Sequence, residues 1–249
     1  MTANEPVTGP VPGILKEAGP AAGDCHLERS KLLLAALALI LGLAFGIRLY
    51  AGLQKGLVGT DEAEYLSAGR NLWRGRGLTY ENGIPFVIHP GGLGVFVAGV
   101  AKFTGQGNLA RANAYCFAFL GVLGTIGIFI LAKRLLGLKA ALLTAAVYAT
   151  LPSLATQVFY WDSTSEALLL PLVIFACCFF AWTCENGQPL GAVLGSCLLG
   201  IAAAVRNDGL VFFGCLAAVL CLKMLLTRGW SVRKYFAVGA LSCLAFGAA

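Results

Sequence analysis

Long apolar runs without a charged side chain constrain this chain more than any other feature. Four such runs cover residues 32–46, 112–132, 140–161 and 167–184. Several approach or exceed the ~20 residues that a helix needs to cross about 30 Å of hydrocarbon. Backbone groups in lipid must pair within their own segment, so the runs are predicted to be helices. Charged residues make up 12% of the chain, about half the usual fraction in soluble domains. We therefore predict an all-α polytopic membrane protein.

The pattern predicts about seven transmembrane helices. The expected spans lie near residues 32–50, 112–132, 139–159, 164–183, 189–205, 209–226 and 235–249. A weaker apolar segment, 84–103, is interrupted by Pro85 and by His89-Pro90-Gly91-Gly92, which favours an interfacial or re-entrant segment. The last span stops at Ala249 without a polar flank, which suggests the N-terminal part of a longer protein.

The basic residues indicate how these spans are oriented. Residues 1–30 are rich in Pro, Gly and Ala and are expected to be a disordered cytoplasmic tail before a transmembrane domain at 31–249. Seven spans place the other basic loops on the same side as the tail, as the positive-inside rule expects; these loops contain Lys133, Arg134, Lys139, Arg228, Arg233 and Lys234. The long 51–111 loop, Asp162 and the turn at 206–208 then share the non-cytoplasmic face.

The net charge of +6 does not indicate a nucleic-acid partner, because the basic residues form short clusters beside apolar runs. Most of the nine cysteines lie inside apolar runs, where Cys behaves as a small hydrophobe. No Cys-x-x-Cys or Cys/His ligand spacing is present. We expect neither disulfides nor a structural metal, although a divalent cation cofactor is not excluded.

The first polar feature on the non-cytoplasmic face is Asp61-Glu62-Ala63-Glu64-Tyr65, at the start of a predicted interfacial helix over 61–74. Asp61 could serve only as the helix N-cap, with Glu64 completing a capping-box-like pair. One cap does not explain three carboxylates crowded at a membrane surface.

Two further polar features follow later spans. Ser163 and Glu166 match a capping box, which leaves Asp162 either a solvated turn residue or a functional acid. In Arg206-Asn207-Asp208-Gly209, Asp208 could cap the next helix while Arg206 extends to the interface. Alternatively, the planar Arg206 guanidinium could bind two oxygens of a lipid phosphate.

These motifs, in this order, resemble the GT-C glycosyltransferases. The first-loop element Asp61-Glu62-Ala63-Glu64-Tyr65, with Arg70 in the following helix, is similar to that of dolichyl-phosphate-mannose–protein mannosyltransferases and of bacterial aminoarabinose transferases. His89-Pro90-Gly91 stands where the family has His-Pro-Pro, and Asp162 matches its second-loop acid. Arg206-Asn207-Asp208-Gly209 resembles an Arg-Pro-Glu-Gly element with Asn in place of Pro.

The resemblance implies transfer of a sugar, with inversion, from a polyprenyl-phosphate donor to a lipid, glycan or protein acceptor. It implies Asp61 as the general base, with Glu62 and Asp162 orienting the acceptor or tuning Asp61. Substrate binding is expected from Arg206, Tyr65, His89, Arg70 and Asp208. It also implies a multi-pass protein of the cell membrane, here expected to be a bacterial inner membrane, with its active site on the periplasmic or extracellular face.

Two alternatives remain. A transporter or lipid-linked sugar flippase would place ionisable residues near the bilayer midplane, whereas these spans are almost free of charge, Lys223 being the nearest exception. A non-catalytic fragment or assembly subunit is supported only by the abrupt end at Ala249.

Overall fold

Apolar helices make up most of the chain in this computed structural model, which describes residues 22–54, 60–87, 89–104, 109–151, 164–226 and 232–248. Within these ranges there are nine helices: α1 (Ala22–Gln54), α2 (Thr60–Trp73), α3 (Gly92–Thr104), α4 (Leu109–Leu136), α5 (Leu138–Thr150), α6 (Thr164–Asn186), α7 (Pro189–Val205), α8 (Asp208–Leu226) and α9 (Val232–Ala248). The chain divides into two units, Met1–Ala36 and Leu37–Ala249. The first contributes only the start of α1 to the described residues. All contacts below belong to the second.

The all-helical membrane class is confirmed. Among the described residues, three helices are long and apolar enough to cross a membrane: Ser30–Gln54, Arg111–Leu136 and Ser165–Asn186. Gly92–Thr104, Leu138–Thr150 and Pro189–Val205 are shorter apolar helices. The predicted total of seven spans is not confirmed. Many large apolar side chains point away from the protein, including Leu34, Phe119, Leu143 and Leu244, as expected for surfaces that face lipid.

The start of α1 and the end of α5 differ from the prediction. α1 begins at Ala22, inside the segment expected to be a disordered tail, because the helix of the first span continues towards the N-terminus. α5 ends at Thr150 rather than near 159. Leu151 has an extended backbone (φ −59°, ψ 120°), as expected for a residue that precedes a proline, here Pro152. In the segment 84–103, which was expected to be interfacial or re-entrant, a helix begins at Gly92.

The α6–α7 pair packs closely because α7 has small residues on the facing side. A Cβ at Gly195 would lie 2.6 Å from Cδ2 of Phe180, and one at Gly191 would lie 2.6 Å from the Phe179 carbonyl oxygen. Ala176, Phe180, Ala192 and Leu199 belong to the same buried cluster. Small residues at four-residue spacing allow this backbone approach in membrane helices, where packing rather than water exclusion drives association.

Arg48 is a charge inside the first span that the sequence analysis overlooked. Its side chain is 5% exposed and donates to the carbonyl oxygens of Ala44 (3.1 Å), Ala149 (3.2 Å) and Tyr148 (3.2 Å). Two of these acceptors lie in the last turn of α5, whose carbonyls have no partner within the helix. Arg48 packs over Gly121 of α4, where a Cβ would overlap its side chain. The buried cation therefore joins α1 to the end of α5.

We expect Gly195→Val to weaken the α6–α7 contact, because the added side chain has no space beside Phe180. Overpacking of this kind costs about 1–3 kcal/mol, so the thermal midpoint of the detergent-solubilised protein should fall by several degrees. Gly214→Val on α8 is the matched control, since a Cβ there meets nothing within 4 Å. Equal midpoints for the two variants would contradict this account of the packing.

Candidate active site

Three helix ends meet around Arg206, which follows α7 and precedes α8. Its backbone is extended (φ −159°, ψ 138°), and its N–H still donates to the Ala202 carbonyl of α7. The chain then turns at once into α8, with the Gly209 N–H donating to the Arg206 carbonyl at 3.0 Å. A Cβ at Gly209 would lie 2.3 Å from the backbone nitrogen of Ala203. Glycine is therefore required where α8 starts against α7.

The Arg206 guanidinium bridges two carboxylates. Its Nη1 donates to Oε1 of Glu166, in the first turn of α6, through a short contact. Its Nε donates to Oδ2 of Asp208 at 2.6 Å. Glu166 is the more enclosed partner, with 24% of its side chain exposed against 53% for Asp208. Charge-assisted pairs of this kind are stronger than neutral hydrogen bonds, so Arg206 joins the starts of α6 and α8.

The hydrogen bond to Asp208 raises the pKa of Arg206 above its usual value, and the charge of Glu166 adds to the effect, while partial burial opposes it. The guanidinium therefore stays charged at any physiological pH. Two carboxylates beside one cation give this group of three side chains an excess of negative charge.

An aromatic cluster lies beside the charged group. The Tyr65 ring of α2 lies 5.5 Å from Phe86 and 5.5 Å from His89, measured between centroids. His89 also lies near Glu64, with 3.7 Å between its Nε2 and Oε2 of the carboxylate. Tyr65 is 5% exposed and lies in one buried cluster with Val205, the residue before Arg206. It therefore connects the aromatic cluster to the charged group.

The segment that carries Phe86 and His89 is held by a buried amide. Nδ2 of Asn71, near the end of α2, donates to the carbonyl oxygens of Thr79 (3.0 Å) and Tyr80 (2.9 Å). A short antiparallel bridge closes the turn, with the Phe86 N–H donating to the Leu78 carbonyl at 3.0 Å. Asn71 is 4% exposed, so its two contacts also satisfy a buried polar group.

The start of α3 is fixed against the end of α7. A Cβ at Gly92 would lie 2.5 Å from the Ala204 carbonyl oxygen, so only glycine allows this approach. Leu93 and Val205 lie in one buried cluster with Tyr65. This contact brings the His89 segment to the same end of the bundle as Arg206.

The opposite helix ends carry two other basic residues, Arg134 and Lys223. Nη1 of Arg134, at the end of α4, lies 3.8 Å from Oε2 of Glu185 at the end of α6. Nζ of Lys223 donates to the Cys184 carbonyl at 2.6 Å. Glu166 and Glu185 are separated by nearly the whole of α6, about 28 Å at 1.5 Å per residue. The candidate site therefore lies at the end of the helices opposite Arg134 and Lys223.

The structure thus brings together four of the predicted site residues: Tyr65, His89, Arg206 and Asp208. Arg70 lies elsewhere on α2, beside a cleft lined also by Glu64. Asp61 and Glu62 occupy the first turn of α2, where only their backbone is described, and Asp162 lies outside the described residues. The roles predicted for these three acids stay predictions.

Glu166 is the residue that the sequence analysis missed as part of the site. Its spacing from Ser163 favoured a local capping role, whereas its carboxylate contacts Arg206, forty positions away. The antiparallel arrangement of α6 and α7 was the available signal, because it brings the start of one helix beside the end of the next. Within the ranges that the structure describes, no group of three or more His, Cys, Asp or Glu side chains could hold a metal ion.

Comparison with known families now identifies the chain more closely. The model of the dolichyl-phosphate-mannose-protein mannosyltransferase family matches residues 89–248, more than half of the chain. The chain belongs to this family. It is thus a membrane glycosyltransferase of the GT-C type, which confirms the resemblance found in the sequence. No curated protein and no solved structure matches the chain. The matched region contains His89, Glu166, Arg206 and Asp208, whereas α2 precedes it.

We expect Glu166→Gln to lower the thermal midpoint by roughly 2–4 °C, corresponding to about 1 kcal/mol for a partly exposed pair. Asp208→Asn should have a smaller effect because Asp208 is more exposed. A double-mutant cycle that combines Glu166→Gln with Arg206→Gln, followed by thermal melts, measures the coupling energy between these two residues. Strict additivity of Glu166→Gln and Arg206→Gln would show that the pair contributes no stability.

Proposed function

We propose that the protein transfers a sugar from a polyprenyl-phosphate-linked donor to an acceptor nucleophile, with inversion, on the non-cytoplasmic face of the membrane. The observation that carries the proposal is the grouping of Tyr65, His89 and Arg206 at the end of the helices opposite Arg134 and Lys223, in a chain of this family. A polyprenyl-phosphate donor is consistent with the family.

The donor phosphate binds at Arg206 in this proposal. Contacts with the described residues engage two of the five guanidinium N–H groups, those to Glu166 and Asp208. The other N–H groups have the planar geometry that suits phosphate oxygens. Negative charge grows on this phosphate as the glycosidic bond breaks, so a cation already held in place stabilises the transition state more than the ground state.

Asp61 accepts the proton of the acceptor. It lies in the first turn of α2, one helical turn before Tyr65. The acceptor oxygen forms a bond to the anomeric carbon as its proton passes to the Asp61 carboxylate. The bond between that carbon and the phosphate oxygen breaks, and polyprenyl phosphate leaves with the bonding electrons. Attack opposite the leaving group inverts the anomeric centre, and Glu62 and Asp162 orient the acceptor.

We expect Asp61→Asn to lower kcat by about 10²–10⁴-fold, because an amide cannot accept the proton. Transfer would be measured from a series of polyprenyl-phosphate hexoses with the purified full-length protein in nanodiscs. The adjacent variant Glu62→Gln is the control, with a smaller expected loss because Glu62 only orients the acceptor. Wild-type turnover by Asp61→Asn would exclude Asp61 as the base.

The sidedness of the site can be tested by labelling single cysteines in intact cells. In a background whose accessible native cysteines are replaced by alanine, Ser163→Cys should react with an impermeant maleimide, whereas Leu136→Cys should react only after cell lysis. Ser163 immediately precedes α6, and Leu136 is the last residue of α4. The reverse pattern would place the site on the cytoplasmic face and refute the proposed orientation.

A further inference from the structure

A cleft lies beside the candidate site. It has a volume of about 370 Å³ and lies between α2 and the turn that follows it. Glu64, Ser67 and Arg70 line it from α2, at three-residue spacing that places them on one side of the helix. Tyr80 and Glu81 line it from the turn. The volume falls within the ~300–1,000 Å³ range of small-molecule sites.

Two enclosed polar atoms of this cleft have no hydrogen-bond partner among the described residues. They are Nε of Arg70 and the hydroxyl oxygen of Tyr80. Burial raises the pKa of Tyr80, and the nearby charge of Glu64 raises it further, so the hydroxyl keeps its proton. Buried donors without acceptors are unfavourable and are normally satisfied. A ligand that offers acceptor oxygens would satisfy both of them.

The charges lining the cleft indicate what kind of ligand suits it. Two carboxylates, Glu64 and Glu81, are present with one cation, Arg70. These carboxylates can accept hydrogen bonds from ligand hydroxyls, whereas an ionised phosphate offers acceptor oxygens and few donors. An uncharged ligand with many hydroxyl groups offers both the acceptors for Arg70 and the donors for the carboxylates.

The cleft adjoins the candidate site through shared residues. Glu64 lines the cleft and also lies 3.7 Å from His89. The Tyr80 ring lies 5.0 Å from Phe86, which in turn lies 5.5 Å from Tyr65. A ligand in the cleft would therefore be separated from the Tyr65–His89 group by one layer of side chains.

We propose that this cleft binds the acceptor, and that the acceptor carries an uncharged, hydroxyl-rich sugar headgroup at this position. The inference rests on the proposed glycosyl transfer for the acceptor role. The donor phosphate then binds at Arg206, and the acceptor sugar is held by Glu64, Arg70 and Tyr80 on the other side of the aromatic cluster.

The test uses n-octyl β-D-glucopyranoside as the uncharged probe and its 6-phosphate as the anionic one. Binding to the purified full chain in nanodiscs is measured by saturation-transfer-difference NMR without any donor. Arg70→Lys keeps the charge but removes the Nε donor, and Ser67→Phe fills the cleft. Arg76→Lys is the matched control, because Arg76 is exposed after α2 and does not line the cleft.

We expect the uncharged glucoside to bind the wild type more tightly than its phosphate. Arg70→Lys and Ser67→Phe should each weaken its binding by roughly 10-fold or more, the usual effect of losing a hydrogen bond to a charged group, and Arg76→Lys should leave it unchanged. Tighter binding of the phosphate, equal binding by all variants, or no binding by the wild type would overturn the sugar-binding cleft.

Transfer assays with the same variants test the acceptor role separately. Arg70→Lys should raise the acceptor KM and leave the donor KM unchanged. An increase in the donor KM alone would assign the cleft to the donor, and binding without transfer to any uncharged glycoside would overturn the acceptor role. If the wild type transferred no sugar from any polyprenyl-phosphate donor, the proposed function would fail, while the NMR comparison would still decide what the cleft binds.

Discussion

The contacts of Arg206 with Glu166 and Asp208 determine how the ends of α6, α7 and α8 meet. An Arg beside apolar helices is costly unless its charge is paired or reaches water, and here it is paired twice. Because each carboxylate starts a different helix, the cation holds both helices against the end of α7. The close backbone approach at Gly209 adds a second constraint at the same point. The position of the proposed phosphate-binding group is therefore set by the packing of the helices.

Arg48 satisfies the same physical requirement by a different route. Its described hydrogen-bond acceptors are backbone carbonyls of α1 and of the last turn of α5, and the face of Tyr148 lies 5.5 Å from its guanidinium carbon. The carbonyls at a helix C-terminus carry partial negative charge, which compensates a buried cation without a carboxylate. An ionisable residue within a span is commonly interpreted as part of a transport pathway. These contacts give Arg48 a structural role instead, so its presence does not favour a transporter.

Elements that depend on local pattern were predictable from the sequence. The bounds 189–205 predicted for α7 agree with the structure, because Pro189 marks its first residue and polar residues follow Val205. The early end of α5 was also encoded, by Pro152. Pairs distant in sequence were harder to predict. Nothing in the local pattern indicates that Arg48 contacts residues about a hundred positions away. For Glu166 and Arg206, forty positions apart, the antiparallel helices indicate a shared end but not the contact itself. Counting spans could still place four of the predicted site residues at one end of the helices, because successive helices run in opposite directions. These residues are Tyr65, His89, Arg206 and Asp208.

The double pairing of Arg206 also bears on how a lipid phosphate would be bound and released. A lone buried guanidinium would hold polyprenyl phosphate tightly as the product, since the leaving group carries more negative charge than the bound donor. Glu166 and Asp208 compete for the same cation, so the net attraction for phosphate is reduced while the direction of the guanidinium is kept. In the proposed reaction, the fixed direction of the Arg206 guanidinium therefore adds to the effect of its charge on the developing phosphate. Such a site favours the transition state, where geometry is decisive, and still allows the charged product to leave.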